Sequence, residues 1–462
     1  MILNAEQLSI IFSNEQEDLF VEALAGTGKT TSLMEFAKHR FESNILYLVS
    51  SKNMKFQSRK KFTSNTEVHS VNSFVYKYIK SIFNRKIINN INTKFVINNI
   101  QEISDIYKVN QTLAVQLAIS ALDFFNYFLN SNTNRDNMVL DSDKLYIKCA
   151  LILYDKMISG EINITHNALL KYFLDNYDFT QFNYDYLLID EAQDINPIMF
   201  NIINKIKGKK VYVGDSKQNI FKFRNTINLL QNKNTKKLTG TYRFGKNIAG
   251  FISDLTASAY NEKDFYISGL SDNLGFVIFD NEEIIPPYAA YITRTNAHLF
   301  DCAFESVQQG KKVSIPFNWE EIKILLMDIF YLKAGLYNSI KGSLLKDYNS
   351  FQELLDIQSH GGDQELIFLV KLIDKYGLEL PEKIKILEHN LASSKFADII
   401  YITAHKAKGL EFYSVELGND FKKYRYGTEI EERNLIYVAM TRAMEILKPN
   451  KDLIEQYIKG GI

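Results

Sequence analysis

Short, continuous apolar runs alternate along the chain with longer stretches of helical periodicity. Leu19 to Leu24, Ile45 to Val49, Tyr186 to Ile189 and Val211 to Val213 are runs of strand length. Strands apolar along their whole length suit a parallel sheet covered on both faces, and their alternation with helical patterns is how such a sheet is built. A second series, Phe276 to Phe279, Ala290 to Thr293, Ile399 to Thr403 and Ser414 to Leu417, predicts a second α/β lobe. Each lobe is interrupted. Residues 77–165 place apolar side chains at helical spacing, among them Leu113, Val115, Leu117, Ala118, Leu122 and Phe125, and residues 320–391 give long amphipathic patterns broken at Gly361 and Gly362. The pattern therefore predicts a first lobe of residues 1–76 and 166–240 around a helical insertion at 77–165. A second lobe of residues 241–319 and 392–462 surrounds a shorter helical insertion at 320–391.

Composition narrows the partners. Lys plus Arg and Asp plus Glu both total 54, so no global basic field announces a polyanion, and any nucleic-acid surface has to be a local groove. Cys149 and Cys302 lie far apart without zinc-type spacing, which suits a reducing interior with neither disulfides nor a metal site. The N-terminus lacks a secretory signature, and no apolar stretch reaches membrane-spanning length, the best candidate, Ile322 to Leu332, being broken by Asp328. A cytoplasmic location with no membrane partner is the expectation.

Two segments carry chemistry. Ala23-Leu24-Ala25-Gly26-Thr27-Gly28-Lys29-Thr30 follows a strand run and opens a helical pattern, so Gly26 and Gly28 would let backbone N–H groups curl around phosphates at a helix N-terminus. Lys29 would reach the terminal phosphates and Thr30 a magnesium ion, with Ala23 standing where the strict pattern has glycine. Far downstream, Asp190 and Glu191 close the run Tyr186 to Ile189, at the strand end where open α/β sheets bind ligands. The first carboxylate would hold magnesium and the second orient or deprotonate water. Past Val213, the segment Asp215, Gln218, Phe221, Phe223 and Arg224 places an acid, an amide and a cation beyond a buried strand, where they can sense a terminal phosphate.

With these segments the chain resembles the superfamily 1 DNA helicases of the UvrD/Rep type, which implies two RecA-like lobes, ATP and Mg2+ as cofactors, and a groove for single-stranded DNA. Leu3-Asn4-Ala5-Glu6-Gln7 looks like the glutamine motif that reads adenine. Leu238-Thr239-Gly240-Thr241-Tyr242-Arg243 resembles the motif whose tyrosine stacks on adenine and whose arginine approaches the outermost phosphate. Thr403 to Phe412, with His405, Lys408, Gly409 and Glu411, resembles the second-lobe motif linking ribose contact to DNA contact, and Glu431 to Ala443 the final motif, with Arg442 as the finger. The resemblance runs from residue 3 to residue 443 in the family's order. Its wording looks closest to the F-box DNA helicase group and its compact bacterial and viral relatives, although no F-box segment is apparent.

Carried over residue by residue, the resemblance implies catalytic roles for Lys29, Asp190, Glu191, Gln218, Arg243 and Arg442. Nucleotide contacts fall to Gln7, Ala25, Gly26, Thr27, Gly28, Lys29, Thr30, Thr31, Tyr242, Arg243, Glu411 and Arg442, and magnesium to Thr30 and Asp190. DNA contacts fall to Lys52, His69, Phe74, Phe221, Phe223, Arg224 and His405. Large aromatics ordinarily belong to cores, where Trp319 fits, but motif position assigns Phe223, Phe221 and Phe74 to base stacking. His405, beside Lys408 and Glu411, reads as a relay between the sites. Some positions depart from the family. Thr31 replaces an arginine that stacks on the base, Val49 to Lys52 replace a Phe-Thr-Asn segment, and Asn225 and Thr226 replace Gly-Ala.

The expected function is an ATP-dependent DNA helicase or translocase working on single-stranded DNA and single-strand/duplex junctions in repair, recombination or anti-phage defence. Its 3′-to-5′ movement is implied by the resemblance alone. The alternative is a nucleotide-gated DNA-binding ATPase that recruits a nuclease, or a repair or defence protein, without unwinding. An RNA helicase is disfavoured by motif wording.

Overall fold

A computed structural model describes the chain apart from residues 1–2, 15–16, 50–57, 84–86, 89–90, 134, 136–137, 139–143, 221–225, 228, 231–234, 280–288, 317–318, 343–344, 347, 360–363, 422–423, 425–428 and 460–462. The strands β1 (Leu19–Ala23), β2 (Ile45–Val49), β3 (Thr66–Ser70), β4 (Asn183–Asp190), β5 (Lys207–Gly214) and β6 (Lys236–Leu238) form one sheet in the order β3-β2-β4-β5-β1-β6. Every pairing in it is parallel. Residues 45–49 of β2 are all buried, as their unbroken apolar run requires of an inner strand. The register aligns Glu22 with Gly214 and Asp190 with Val213, so β1, β4 and β5 end at one level and deliver their following loops to one edge of the sheet.

A second parallel sheet contains β7 (Phe276–Val277), β8 (Ala289–Thr293), β9 (Val313–Ser314), β10 (Ile399–Thr403), β11 (Phe412–Leu417) and β12 (Ala443–Lys448), in the order β7-β12-β11-β8-β10-β9. Two six-stranded parallel sheets flanked by helices give the two-lobed α/β architecture expected from the sequence. The strand expected over Phe276 to Phe279 stops at Val277, where it lies at the sheet edge and Phe276 is exposed. β3, β6, β9 and β12 had no strand-like signature in the sequence.

The first insertion packs helices Thr93–Asn99, Gln101–Val109, Gln111–Asn130 and Leu145–Ser159, while residues 87–88 pair with 164–165 to join its two ends. Asn92 and Asn110 cap two of these helices through their side-chain oxygens. Helix Gln111–Asn130 corrects one expectation: its 20 residues are long and apolar enough, by length and composition, to cross a membrane. Gln116, Asp123 and Asn126 break up its apolar run in the sequence. In the fold Ala114, Val115, Ala118, Ala121, Phe125 and Phe128 are buried in the core cluster shared with the helix Leu145–Ser159. The second insertion comprises helices Trp319–Lys333, Phe351–Ser359, Gln364–Tyr376 and Leu380–His389. The break expected at Gly361 and Gly362 lies outside the described residues. The insertions meet where Lys94 Nζ stands 2.5 Å from Glu353 Oε1, both side chains nearly buried, with the Tyr107 hydroxyl donating to the same carboxylate.

Candidate nucleotide site between the lobes

The phosphate loop lies between β1 and the helix α1 (Lys29–Lys38). Gly26 and Gly28 adopt φ of 73° and 81°, and Gly28 is the N-cap of α1. A Cβ on Gly26 would stand 2.5 Å from Thr241 Oγ1 and 2.6 Å from Arg243 Cβ, and one on Gly28 2.7 Å from Gln7 Nε2. The absent side chains thus let two other segments close over the loop. Thr27 and Ala25 are buried beneath it, Lys29 Nζ donates to Ala23 O at 3.2 Å, and Thr31 follows half-buried on the same turn.

Gln7 is held over this loop. Its Oε1 accepts from the Asn4 amide at 3.0 Å and the Tyr242 hydroxyl at 3.2 Å, and its Nε2 donates to Thr27 O at 3.3 Å. The Tyr242 amide donates to Gly26 O at 2.9 Å, which fastens the Tyr242-Arg243 segment to the phosphate loop. Glu6 sets that segment: its carboxylate accepts from the Thr239 amide and hydroxyl, both at 2.7 Å, and from the Gly240 amide.

Asp190 ends β4 beside the loop. Its Oδ2 accepts from Thr30 Oγ1 and from the Tyr47 hydroxyl, each at 2.7 Å. Burial, then the neighbouring Glu191, raise the Asp190 carboxyl above its ordinary range. Burial also opposes the charge on Glu191, but Lys29 and Lys408 outweigh it and hold that carboxyl below the ordinary range. One acid of the pair is thus driven toward its neutral form and the other toward its anion. A hydroxyl and a carboxylate side by side form a hard oxygen pair suited to magnesium, and a cation there would supply the charge that buried Asp190 lacks. Glu191 itself has φ 54°, a left-handed backbone unusual outside glycine, and its Oε2 accepts from Gln193 Nε2 at 2.5 Å.

Gln218 is buried after β5, its Nε2 donating to Asp215 Oδ2 at 2.7 Å. Lys408, from the second lobe, donates to both oxygens of Asp194, at 2.7 and 2.8 Å, and to Gln218 O at 2.8 Å. Arg243 donates through Nε and Nη2 to Glu411 Oε1, at 2.8 and 2.6 Å, and through Nη1 to Thr441 O. The Glu411 carboxylate implied for ribose contact therefore binds Arg243 in this state. Arg442 is fully buried and bound by Val438 O, Leu410 O and Thr441 Oγ1. Burial, then Arg243, push Arg442 down to about 9, against the pull of Glu411 and Glu191. The structure thus brings Gln7, the loop from Ala25 to Thr30, Asp190, Glu191, Gln218, Tyr242, Arg243, Glu411 and Arg442 around one cleft.

The DNA-contact residues fare differently. Lys52, Phe221, Phe223 and Arg224 lie outside the described residues. Phe74 is a correction. It is 0% exposed on the helix Val71–Ile79, packed against Tyr78 and Phe182 with ring centroids 5.2 Å away in each case, so no ring face is available for a base. His69, half-buried on β3, has Nε2 2.9 Å from Glu67 Oε1, which also accepts from Lys77. His405 lies on the one-turn helix Ala404–Ala407 after β10, where burial and Arg294 lower its pKa to about 4 and keep it neutral at neutral pH.

Sequence reasoning missed several participants. Tyr47 was visible as the one hydroxyl in an otherwise aliphatic buried strand. Glu6 sat inside the glutamine motif without a role, and Gln193 and Asp194 follow directly on the Asp190-Glu191 pair. Tyr437 reaches from the helix α2 (Ile430–Met440) to the phosphate loop, where its hydroxyl accepts from the Ala25 amide at 3.4 Å and donates to Asp215 Oδ2 at 3.2 Å.

A phosphate loop and paired carboxylates on one parallel sheet, faced by arginines near and on a second, define a two-lobed P-loop protein of the RecA-like kind. The chain belongs to the UvrD/REP helicase family, whose N-terminal domain model matches residues 3–238. It is similar to F-box DNA helicase protein 1 of Schizosaccharomyces pombe, 28% identical over 525 aligned positions that cover 98% of this chain and 58% of that protein. F-box DNA helicase 1 of Gallus gallus is 23% identical, over 94% of this chain and 47% of its own length. An ATP-dependent helicase/nuclease protein of Clostridium kluyveri is 30% identical over 128 residues, 27% of this chain and 10% of that protein. The chain thus spans about half the length of the two F-box relatives.

Proposed function

We propose that this chain is an ATP-dependent DNA helicase or translocase that grips single-stranded DNA across both lobes and moves 3′-to-5′. Its substrates are single strands and single-strand/duplex junctions in DNA repair, recombination or anti-phage defence, and its compartment is the cytoplasm. The observation that carries the reading is the convergence of Lys29, Asp190, Glu191, Arg243 and Arg442 on one cleft. Lys29 and the loop amides would hold the terminal phosphates of ATP. Thr30 and Asp190 would hold a magnesium ion, which neutralises phosphate charge when bound. Glu191, kept anionic by Lys29 and Lys408, is the group able to accept a proton from attacking water. Gln218 orients beside it, while Arg243 and Arg442 approach the charge that develops on the outermost phosphate. An arginine finger of this kind is worth about three to five powers of ten in rate. His405 fits a role in carrying the nucleotide state toward DNA as a neutral hydrogen-bonding group, not as a charge.

A second reading, favoured by the similarity to a helicase/nuclease protein, is an ATPase that recruits a nuclease, or a repair or defence protein, without unwinding alone. One experiment addresses both: ATP hydrolysis and strand displacement on duplexes with 3′ tails, 5′ tails and blunt ends, with Lys29→Ala as control. DNA-stimulated hydrolysis with displacement of the 3′-tailed duplex is expected. Stimulated hydrolysis without displacement supports the second reading, and hydrolysis equal to that of Lys29→Ala refutes both.

A further inference from the structure

We infer that Tyr437 is a positioning residue that reports closure of the two lobes to the phosphate-sensing amide of Gln218, acting through Asp215; the inference rests on the ATPase reading above. A continuous hydrogen-bonded path carries it. Glu191 Oε2 accepts from Gln193 Nε2 at 2.5 Å, and Gln193 Oε1 accepts from the Asp215 amide at 3.0 Å. Asp215 Oδ2 then receives both Gln218 Nε2, at 2.7 Å, and the Tyr437 hydroxyl, at 3.2 Å. The Tyr437 oxygen accepts the Ala25 N–H at 3.4 Å, which brings the path back to the phosphate loop. Every member but one belongs to the first lobe. The exception stands on α2, a helix of the second lobe, five residues before Arg442.

Packing does not require this hydroxyl. Tyr437 is 0% exposed in an apolar cluster with Leu435, Ile436 and Val438, where a phenylalanine would occupy the same volume. Asn434 sits three residues earlier on the same helix face and donates to Asn219 O at 2.6 Å, so α2 presents two polar groups to the loop after β5. Asp215 is wholly buried, and its Oδ2 is shared between one donor from its own loop and one from the opposite lobe. When the lobes meet, the tyrosine shares that oxygen with Gln218, which fixes the carboxylate and with it the place of the amide that is to face a terminal phosphate. When they part, the carboxylate loses its second donor and the amide its fixed place. A single carboxylate oxygen thereby links the position of α2 to the readiness of the sensor.

The test is Tyr437→Phe in the full chain, with Asp215→Asn and the double variant. Loss of a hydrogen bond to a charged group predicts a fall of about ten- to a hundredfold in DNA-stimulated kcat. KM for ATP should stay within about twofold, because the hydroxyl touches the phosphate loop only at the Ala25 N–H, which this bond directs to Tyr437 and not to a phosphate. The double variant should be no slower than the slower single variant. Unchanged kcat, a rise in KM that accounts for the loss, or effects that multiply in the double variant would each overturn the inference. Amide exchange at Ala25 supplies a readout independent of turnover: Tyr437→Phe should speed it, and an unchanged rate also overturns the inference. Should the parent chain hydrolyse no ATP, the ATPase reading falls on its own while exchange at Ala25 still decides the bridge.

Discussion

Arg442 combines a buried charge with a chemical role, and Arg442→Met separates the two. The guanidinium is 1% exposed, and its hydrogen bonds go to two carbonyls and a hydroxyl. Its pKa falls well below the ordinary guanidinium value to about 9, first through burial and then through Arg243, a discrimination against the charged form on the order of 5 kcal/mol. Methionine relieves that penalty and forfeits three hydrogen bonds from a charged group, worth about 1.5 to 3 kcal/mol each, so gain and loss roughly offset and the nucleotide-free fold should lose no more than about 4 kcal/mol. The sign with pH follows. The native state holds this proton less tightly than the unfolded chain, so the penalty is complete below about pH 9 and is relieved as pH rises from there toward the unfolded guanidinium's ordinary value. Hydrolysis falls much further, with a loss of about three to five powers of ten in DNA-stimulated kcat. Thermal unfolding without nucleotide, paired with an ATPase assay at one pH, reads both. A variant that loses more than about 4 kcal/mol of stability, or hydrolyses ATP within about tenfold of the parent, would refute the idea that an anion is what this cation awaits.

Two further outcomes test the rest of the fold. Phe74→Ala should destabilise the protein by about 3 to 5 kcal/mol as a core truncation, measured by urea unfolding, while the folded fraction binds single-stranded DNA as tightly as the parent in fluorescence anisotropy. Weaker binding by about 5- to 150-fold, the worth of one stacked base, would return Phe74 to the DNA surface. Glu353→Gln strands Lys94 at 4% side-chain exposure and should cost about 3 to 5 kcal/mol in the unfolding of the insertions. A change under about 1 kcal/mol would mean that the pair is no more than a solvated contact.

What the sequence disclosed follows the range of the interactions. The phosphate loop, β2 and β10 were legible because a contiguous motif and unbroken apolar runs are local signals. Phe74 was misassigned because motif position was weighed above periodicity: Val71, Phe74, Val75 and Ile79 already mark one buried helix face. β12 escaped because Met444 and Glu445 disturb its alternation and the preceding helix pattern runs into it. The partners that shape the site act over 233 residues for Glu6 and Thr239, 143 for Tyr47 and Asp190, and 412 for Tyr437 and Ala25. No window along the chain contains both members of such a pair, so residue types could be named but their neighbours could not.

The contacts that join the lobes suit a cleft that opens and closes. At the nucleotide cleft few apolar side chains cross among the described residues: Leu24, Ala25 and Ile220 of the first lobe enter the second lobe's core cluster, while the other apolar cluster runs from the first lobe through both insertions to the second. The polar contacts across the cleft include Lys408 on Asp194, Asn434 on Asn219 O, Lys217 on Glu262 and Tyr437 on Asp215. A buried apolar seam would give up about 25 cal/mol for every Å2 exposed to water, whereas each of these hydrogen bonds gives up about 1 kcal/mol net because water replaces the lost partner. An opening cost assembled from such small terms is comparable to what a bound nucleotide gains by meeting arginines from the far side. Arg243 and Arg442 repel one another in their present place, and an anion between them would reverse that sign. The balance between open and closed lobes is therefore governed by charge in the cleft more than by packing at its rim, which is the condition under which gain and loss of a phosphate can drive a movement.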